Sequence, residues 1–449
     1  MEQFKKQLLY EPKVESFVED FANSYIGYVV IKPISGSPIG ATLLPSPLQR
    51  EHESLEDIIQ EPSIQIDSIR EYGANLMGIP LKVNSLVTQS QDRATSACAS
   101  IALWSAFHQV GQIFQTPTPA PSNITVAAGN FFNKEGRSFP NSGLSNNQVG
   151  RAIASVGLER EMRTIFPGWN SSTFKGFVYG YLRLGLPVLL GVKIDLEELH
   201  LIVITGYRFN ENWREKLDGK GFRLKADQIQ AFYCHDDQLG PFSEYAIHEL
   251  DELLKKPSSQ RQKETLKKTH KAGLYFTSPW PSTEDDKELL MASLDSVIVP
   301  VHPLIRIPYE RIWKTITILD FILDKGGNNN HWDIFLNESN QLKKELRWYK
   351  FQNQEFLSKA FSIPMPKYIW RAQLRYKGRI NFELVFDSHG APESCLLLFA
   401  YFPNEAFRQE FGGLLASKYA KIDIGKHLGL TLLKRLRKWQ KYTVTKTES

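Results

Sequence analysis

The chain has 449 residues, more than one domain usually holds, so two or three domains are expected. With 42% hydrophobic and 23% charged residues, its composition is that of an ordinary globular protein and excludes wholesale disorder. The 54 Lys and Arg against 49 Asp and Glu leave +5 over a large surface, too small an excess to mark a nucleic-acid binder.

The chain opens Met1-Glu2-Gln3-Phe4-Lys5-Lys6, with no apolar core followed by small residues, so no secretory signal is expected. A short helical pattern leads into the β-rich run Tyr25 to Pro33, a Ser/Gly/Pro turn at Ser35 to Pro38, and a second run, Ile39 to Leu44. The pair reads as a hairpin. The acidic stretch Glu51 to Asp67 reads as surface helix or linker. Residues 98–114 read as a helix with Ile101, Trp104, Phe107 and His108 on one face, ended by the Thr/Pro stretch Thr116 to Pro121. Ser145 followed by Gln148 predicts a capping box and a helix to about Val156. Another amphipathic helix is expected over 172–184, closed by Gly185 and Pro187.

Three short apolar strands then follow, Pro187 to Ile194, His200 to Tyr207 and Ala231 to His235. The apolar stretch from Phe177 to Ile194 is broken by Arg183, Gly185, Pro187 and Lys193, so no membrane span is expected. Asp251 to Lys271 is basic and helical in composition. The last third predicts a strand at Val297 to Val301, a helix near Tyr309 to Leu323, and a hairpin of Tyr368 to Tyr376 with Arg379 to Phe386. A third strand, Cys395 to Phe402, and a basic C-terminal helix from Lys418 complete it. Boundaries near 80 and 305 divide the chain. Residues 1–80 form a β-rich accessory region. Residues 81–305 form a central domain with a basic helical insertion at about 251–290, and residues 306–449 a C-terminal α+β domain.

Chemistry concentrates around Cys98, in Gln91-Asp92-Arg93-Ala94-Thr95-Ser96-Ala97-Cys98-Ala99-Ser100. A thiol in the first turn of a helix meets the positive end of the dipole and unpaired amides, which favour the thiolate and can hold an oxyanion. A cysteine nucleophile needs a base and a group that orients the base. His200 stands at the mouth of the strand His200-Leu201-Ile202-Val203-Ile204-Thr205-Gly206-Tyr207, and Asp236 leaves the next strand in Cys234-His235-Asp236-Asp237. Asp237 competes with Asp236, because on a continuing strand the two side chains point to opposite sides and only one reaches the histidine. With only three cysteines, Cys98, Cys234 and Cys395, and no CxxC pair, neither a disulfide framework nor a thiolate zinc site is expected, and a reducing cytoplasmic setting fits. Cys234 and Cys395 read as core residues.

The set resembles the papain-like cysteine peptidases, and among them the bacterial double-glycine leader peptidases of bacteriocin exporters. The resemblance is carried by helix-borne Cys98, the Gly-Leu-Pro-Val-Leu strand Gly185 to Leu189, the strand His200 to Tyr207 and the Asp-x-x-x-Gly turn Asp236 to Gly240. It implies an α+β fold with the nucleophile helix packed on an antiparallel sheet. It also implies Cys98 as nucleophile, His200 as base and Asp236 as the orienting group, and it favours Asp236 over Asp237. The family's oxyanion glutamine lies six residues before the cysteine. Here that position is Asp92 and Gln91 is one further back, so Gln91 is the candidate.

The expected function is hydrolysis of a peptide or isopeptide bond in a protein or peptide substrate, through a thioester and with no cofactor or metal. The alternatives are transglutaminase- or deamidase-type transfer on the same triad and an inactive peptide-binding scaffold. The flanking domains are candidates for binding a protein partner. Nucleic acid is not an expected partner: the basic runs Lys255 to Lys271 and Lys418 to Lys441 are not interleaved with aromatics in a recognisable module, and no GxxxxGK[ST] or GxGxxG motif occurs.

Overall fold

The structure is a computed structural model. It describes residues 14–33, 38–46, 63–90, 98–129, 143–165, 169–194, 198–210, 222–255, 274–281, 289–323, 331–348, 354–376, 379–391 and 397–418. It also describes residues 432, 435, 436, 438 and 439.

Helix α1 (Val14–Asn23) precedes an antiparallel hairpin of β1 (Tyr28–Ile31) and β2 (Ile39–Leu43), as the two β-rich runs imply. Strand β3 (Ile64–Gln65) falls in the segment expected as helix or linker. A second hairpin follows, β4 (Arg70–Leu76) and β5 (Ile79–Ser85), turning on Met77 and Gly78, both at positive φ (51° and 88°). Such a two-residue turn matches the twist of antiparallel strands. The boundary expected near residue 80 therefore falls inside β5. Alternate burial along β5 lays it on the core.

Helices α2 (Cys98–Phe114), α3 (Pro121–Ala127) and α4 (Asn146–Ser155) come next. The predicted capping box holds α4: Gln148 N–H donates to Ser145 Oγ at 3.4 Å, and Ser145 N–H to Gln148 Oε1 at 2.8 Å. Then come β6 (Glu159–Thr164), α5 (Ser171–Leu182), β7 (Val188–Ile194), β8 (Glu198–Phe209), β9 (Arg223–Leu224), β10 (Ile229–Asp236), β11 (Gly240–Glu249) and the short α6 (Leu250–Lys255). The strands β12 (Leu274–Pro281) and β13 (Leu289–Val301) occupy part of the expected helical insertion at about 251–290. That expectation is corrected. The helical composition holds for α6, whereas the apolar and aromatic run Leu274–Pro281 is a stave of the sheet. Residues 256–273, which carry most of the basic run, lie outside the described residues.

Strands β10, β11, β12, β13, β7 and β8 are hydrogen-bonded in that order, and β8 pairs back onto β10. The antiparallel sheet therefore closes into a six-stranded barrel, with β3 added beside β8 and β6 beside β13. Closure satisfies the ladder groups that an open sheet leaves at its edges. Gly206 in β8 permits the approach of β3: a Cβ there would lie 2.3 Å from the Gln65 carbonyl.

The C-terminal region contributes α7 (Tyr309–Leu323), β14 (His331–Glu338), α8 (Ser339–Trp348), α9 (Gln354–Ser362), β15 (Tyr368–Tyr376), β16 (Arg379–Asp387), β17 (Leu397–Tyr401) and α10 (Glu405–Lys418). The predicted hairpin appears as β15 and β16. Its sheet runs β17-β16-β15-β14 and ends on β9, a parallel strand from the central region. Helix α5 faces this sheet through Tyr179, whose hydroxyl donates to Asp333 Oδ1 at 2.8 Å, and through Tyr181, edge-on to Trp370 at 5.3 Å. One continuous hydrophobic core runs from Leu86 to Trp439, crossing the boundary expected near 305. Among the described residues the protein is thus a mixed α+β molecule of ten helices, with a closed antiparallel barrel at its centre. None of these helices is long and apolar enough to cross a membrane.

Candidate functional site

Helix α2 begins at Cys98, and its first three residues are buried. Cys98 and Ser105 lie two turns apart and therefore share a face. That face packs on the barrel at β7 and β8. Ser105 Oγ donates to the Val87 carbonyl at 2.6 Å and lies 3.4 Å from His235 Nδ1 on β10, which fixes the helix against the barrel.

His200 sits two residues into β8, opposite Val192 of β7. On the other side of β8, His235 pairs with Val203, so continuing the antiparallel register sets Asp236 opposite Ile202. Residues two apart on a strand share a face, and so do directly opposed residues. His200 and Asp236 therefore emerge on one face, diagonally across the seam that closes the barrel. Their side chains are each only 3% exposed, and His200 Nε2 lies 3.1 Å from Asp236 Oδ1. The Cys98 thiol lies close enough to the imidazole to act on its pKa.

Burial alone would lower the His200 pKa. The hydrogen bonds to Asp236 and Cys98, with the charges of Asp236 and Asp237, outweigh it and raise the imidazole to about 10. Asp236 is held by three donors. The Tyr245 hydroxyl donates to Oδ2 at 2.6 Å, the Gln238 amide to Oδ1 at 2.8 Å, and His200 Nε2 supplies the third. Burial pushes this carboxyl up, but the His200 hydrogen bond and charge, followed by the Tyr245 and Gln238 contacts, bring it below its ordinary value.

Asp237 departs from the expected alternation. The strand ends at Asp236, its register with β11 slips between Cys234 and Asp236, and Asp237 starts the turn to Gly240. Both carboxylates consequently reach the same nitrogen, Asp237 Oδ1 at 3.3 Å from His200 Nε2. Only a continuing strand would have sent them to opposite faces. Burial pushes Asp237 up to about 6, with His200 opposing and Asp236 reinforcing the shift. Among the described residues, His200, Asp236 and Asp237 offer ligand atoms all within 4.8 Å of one another, so they could hold a metal ion.

Cys98, His200 and Asp236 thus come together. Gln91 and Asp92 lie outside the described residues, as does Cys395. Cys234 is buried within β10, and burial pushes its thiol well above the ordinary range. His235 is buried beneath α2, where desolvation lowers it to about 3 and keeps it neutral. Sequence reading did not single out Tyr245. The available signal was hairpin register: Tyr245 pairs with Phe232, on the face that carries Asp236 four residues along.

Fold and site together define a mixed α+β barrel protein with a buried thiol–imidazole–carboxylate cluster across the barrel's closing seam. No family model matches the chain, and no curated protein matches it.

Proposed function

We propose that the chain is a cysteine-type peptidase of papain-like character, acting on a peptide or isopeptide bond through Cys98, His200 and Asp236. One observation carries this reading: buried His200 Nε2 lies 3.1 Å from Asp236 Oδ1, and the Cys98 thiol lies close enough to the same imidazole to raise its pKa. That is the nucleophile–base–orienter order that acyl transfer by a thiol requires.

In the proposed cycle the thiol proton passes to His200, where Asp236 favours the resulting imidazolium. The sulfur attacks the carbonyl carbon, and the carbonyl oxygen gains charge beside the N-terminal amides of α2. As the tetrahedral intermediate collapses, the C–N bond breaks and His200 gives its proton to the departing amine. Water, losing a proton to His200, then cleaves the thioester to a free acid and restores the thiol. Gln91, on the segment leading into α2, is the side chain proposed to assist the oxyanion.

Labelling with iodoacetamide tests the triad. Cys98 is expected to react about 10-fold or more faster in the wild type than in His200→Ala, while Cys234 is unaffected. Peptide-bond cleavage should be lost in Cys98→Ser. Equal labelling of Cys98 in wild type and His200→Ala, without cleavage of any peptide in a mixed library, would indicate an inactive scaffold. Product carrying an added amine in place of hydrolysis would assign transferase chemistry instead.

A further inference from the structure

His200 Nε2 carries at most one hydrogen, and Asp236 Oδ1 at 3.1 Å receives it. Asp237 Oδ1 stands 3.3 Å from the same nitrogen, yet neither oxygen of Asp237 accepts a hydrogen bond. The side chain is only 3% exposed, so bulk water contributes little. One imidazole faces two buried carboxylates, so the negative charge there exceeds any positive charge the ring supplies. Around Nε2 there are more lone pairs than hydrogens, and the ligand atoms of all three residues lie within 4.8 Å of one another.

We propose that His200 Nε2, Asp236 and Asp237 form a binding site for a zinc ion, and that zinc there switches off the chemistry of Cys98. The second half rests on the peptidase reading; the first does not. One imidazole nitrogen and two carboxylate oxygens are a three-ligand set that zinc accepts with its fourth position open. Calcium would want six to eight oxygens, which the cluster does not supply. Two carboxylates balance the ion's charge, so the buried site becomes neutral. Tyr245 and Gln238 already donate to Asp236 and serve as the outer hydrogen bonds that orient such a ligand.

The switch follows from proton counting. A Zn–N bond at Nε2 forms as that nitrogen's proton leaves to solvent. The neutral ring then keeps its single hydrogen on Nδ1. It has no lone pair left there to accept the thiol proton, so His200 cannot act as base.

Full-length, metal-free protein titrated with Zn²⁺ against a chromophoric chelator, and with Co²⁺ read in the visible spectrum, tests the site. One equivalent should bind, with unchanged affinity in Cys98→Ala and at least about 10-fold weaker affinity in Asp237→Asn. Circular dichroism checks the fold, and Asp237→Ala gives a second reading if the asparagine variant misfolds. Wild-type affinity no greater than that of both Asp237 variants overturns the site. Loss of binding in Cys98→Ala, with a sulfur-to-cobalt charge-transfer band in the wild type, also overturns it, because the thiol is then the ligand. In the labelling assay, zinc should suppress Cys98 reactivity and a chelator should restore it. Binding without suppression overturns the switch. If Cys98 is unreactive even without metal, the peptidase reading fails while the titration still decides the site.

Discussion

Three hydrogens converge on Asp236, from Tyr245, the Gln238 amide and His200, at 2.6, 2.8 and 3.1 Å. Tyr245→Phe deletes one donor and leaves the ring in its stack with Phe276 at 5.4 Å. On the peptidase reading, kcat should fall about 10-fold with KM nearly unchanged, because the carboxylate orients the base and does not touch substrate. Asp236→Asn keeps the shape and removes the charge that sustains the imidazolium, so it should cost more, about 10²–10⁴ in kcat. A distant histidine gives a prediction about stability. Burial, then the Arg70 charge, lowers His108 from 6.5 to about 4, so the fold favours its neutral form. The unfolded chain binds the extra proton between those values. This contribution is therefore present above pH 6.5 and lost as pH falls through about 4. His108→Gln should lose less melting temperature over that interval than the wild type. Cys98, His200 and Asp236 could be read from the chain because each is a polar or reactive residue at the end of an apolar element. The presence of Asp237 at the same nitrogen could not, since it depends on where the strand stops.

Elements with strong periodicity or punctuation were readable. Helix α2 spans Cys98–Phe114 as expected, and α7 and β15 also match their expected spans. The hairpin of β4 and β5 escaped because its turn places Met77 at φ 51°, a conformation its side chain does not advertise. Strand β12 escaped because it follows a basic segment whose charge dominates the local composition. The approach of α5 to α7 depends on Gly180, where a Cβ would lie 2.8 Å from the Tyr309 ring. That ring is held by Phe177 at 6.0 Å and Trp370 at 6.0 Å, so it has little room to withdraw. Overpacking of this kind costs about 1–3 kcal/mol. Alanine gains about 1 kcal/mol over glycine in a helix interior. Gly180→Ala should therefore destabilise the protein in chemical denaturation, against the sign that helix propensity alone gives.

At the scale of the molecule, the sequence suggested three consecutive regions, but the core crosses the boundary at 305. Composition does not shift there, so nothing local to the chain announces that β9 pairs with β14 or that Tyr179 reaches Asp333. Asp333 is fully buried, with Lys225 at 3.4 Å and Arg375 at 3.5 Å. Burial pushes its carboxyl up, but Lys225, Arg375 and Arg183, with the Tyr179 hydroxyl, hold it far below the usual range. Asp333→Ala removes the anion these cations share and should cost about 3–5 kcal/mol, read from the denaturation midpoint. A chain truncated after residue 305 should fail to fold alone, detectable as lost near-ultraviolet dichroism.

His200 and Asp236 meet across the β8–β10 seam, and the ring of staves is complete only once β13 has joined β7. A nascent chain emerging from the ribosome exposes Cys98 long before residue 301 is available. On the peptidase reading, the thiol meets its base and carboxylate only after Asp236 has been made, so reactivity would follow the order of synthesis.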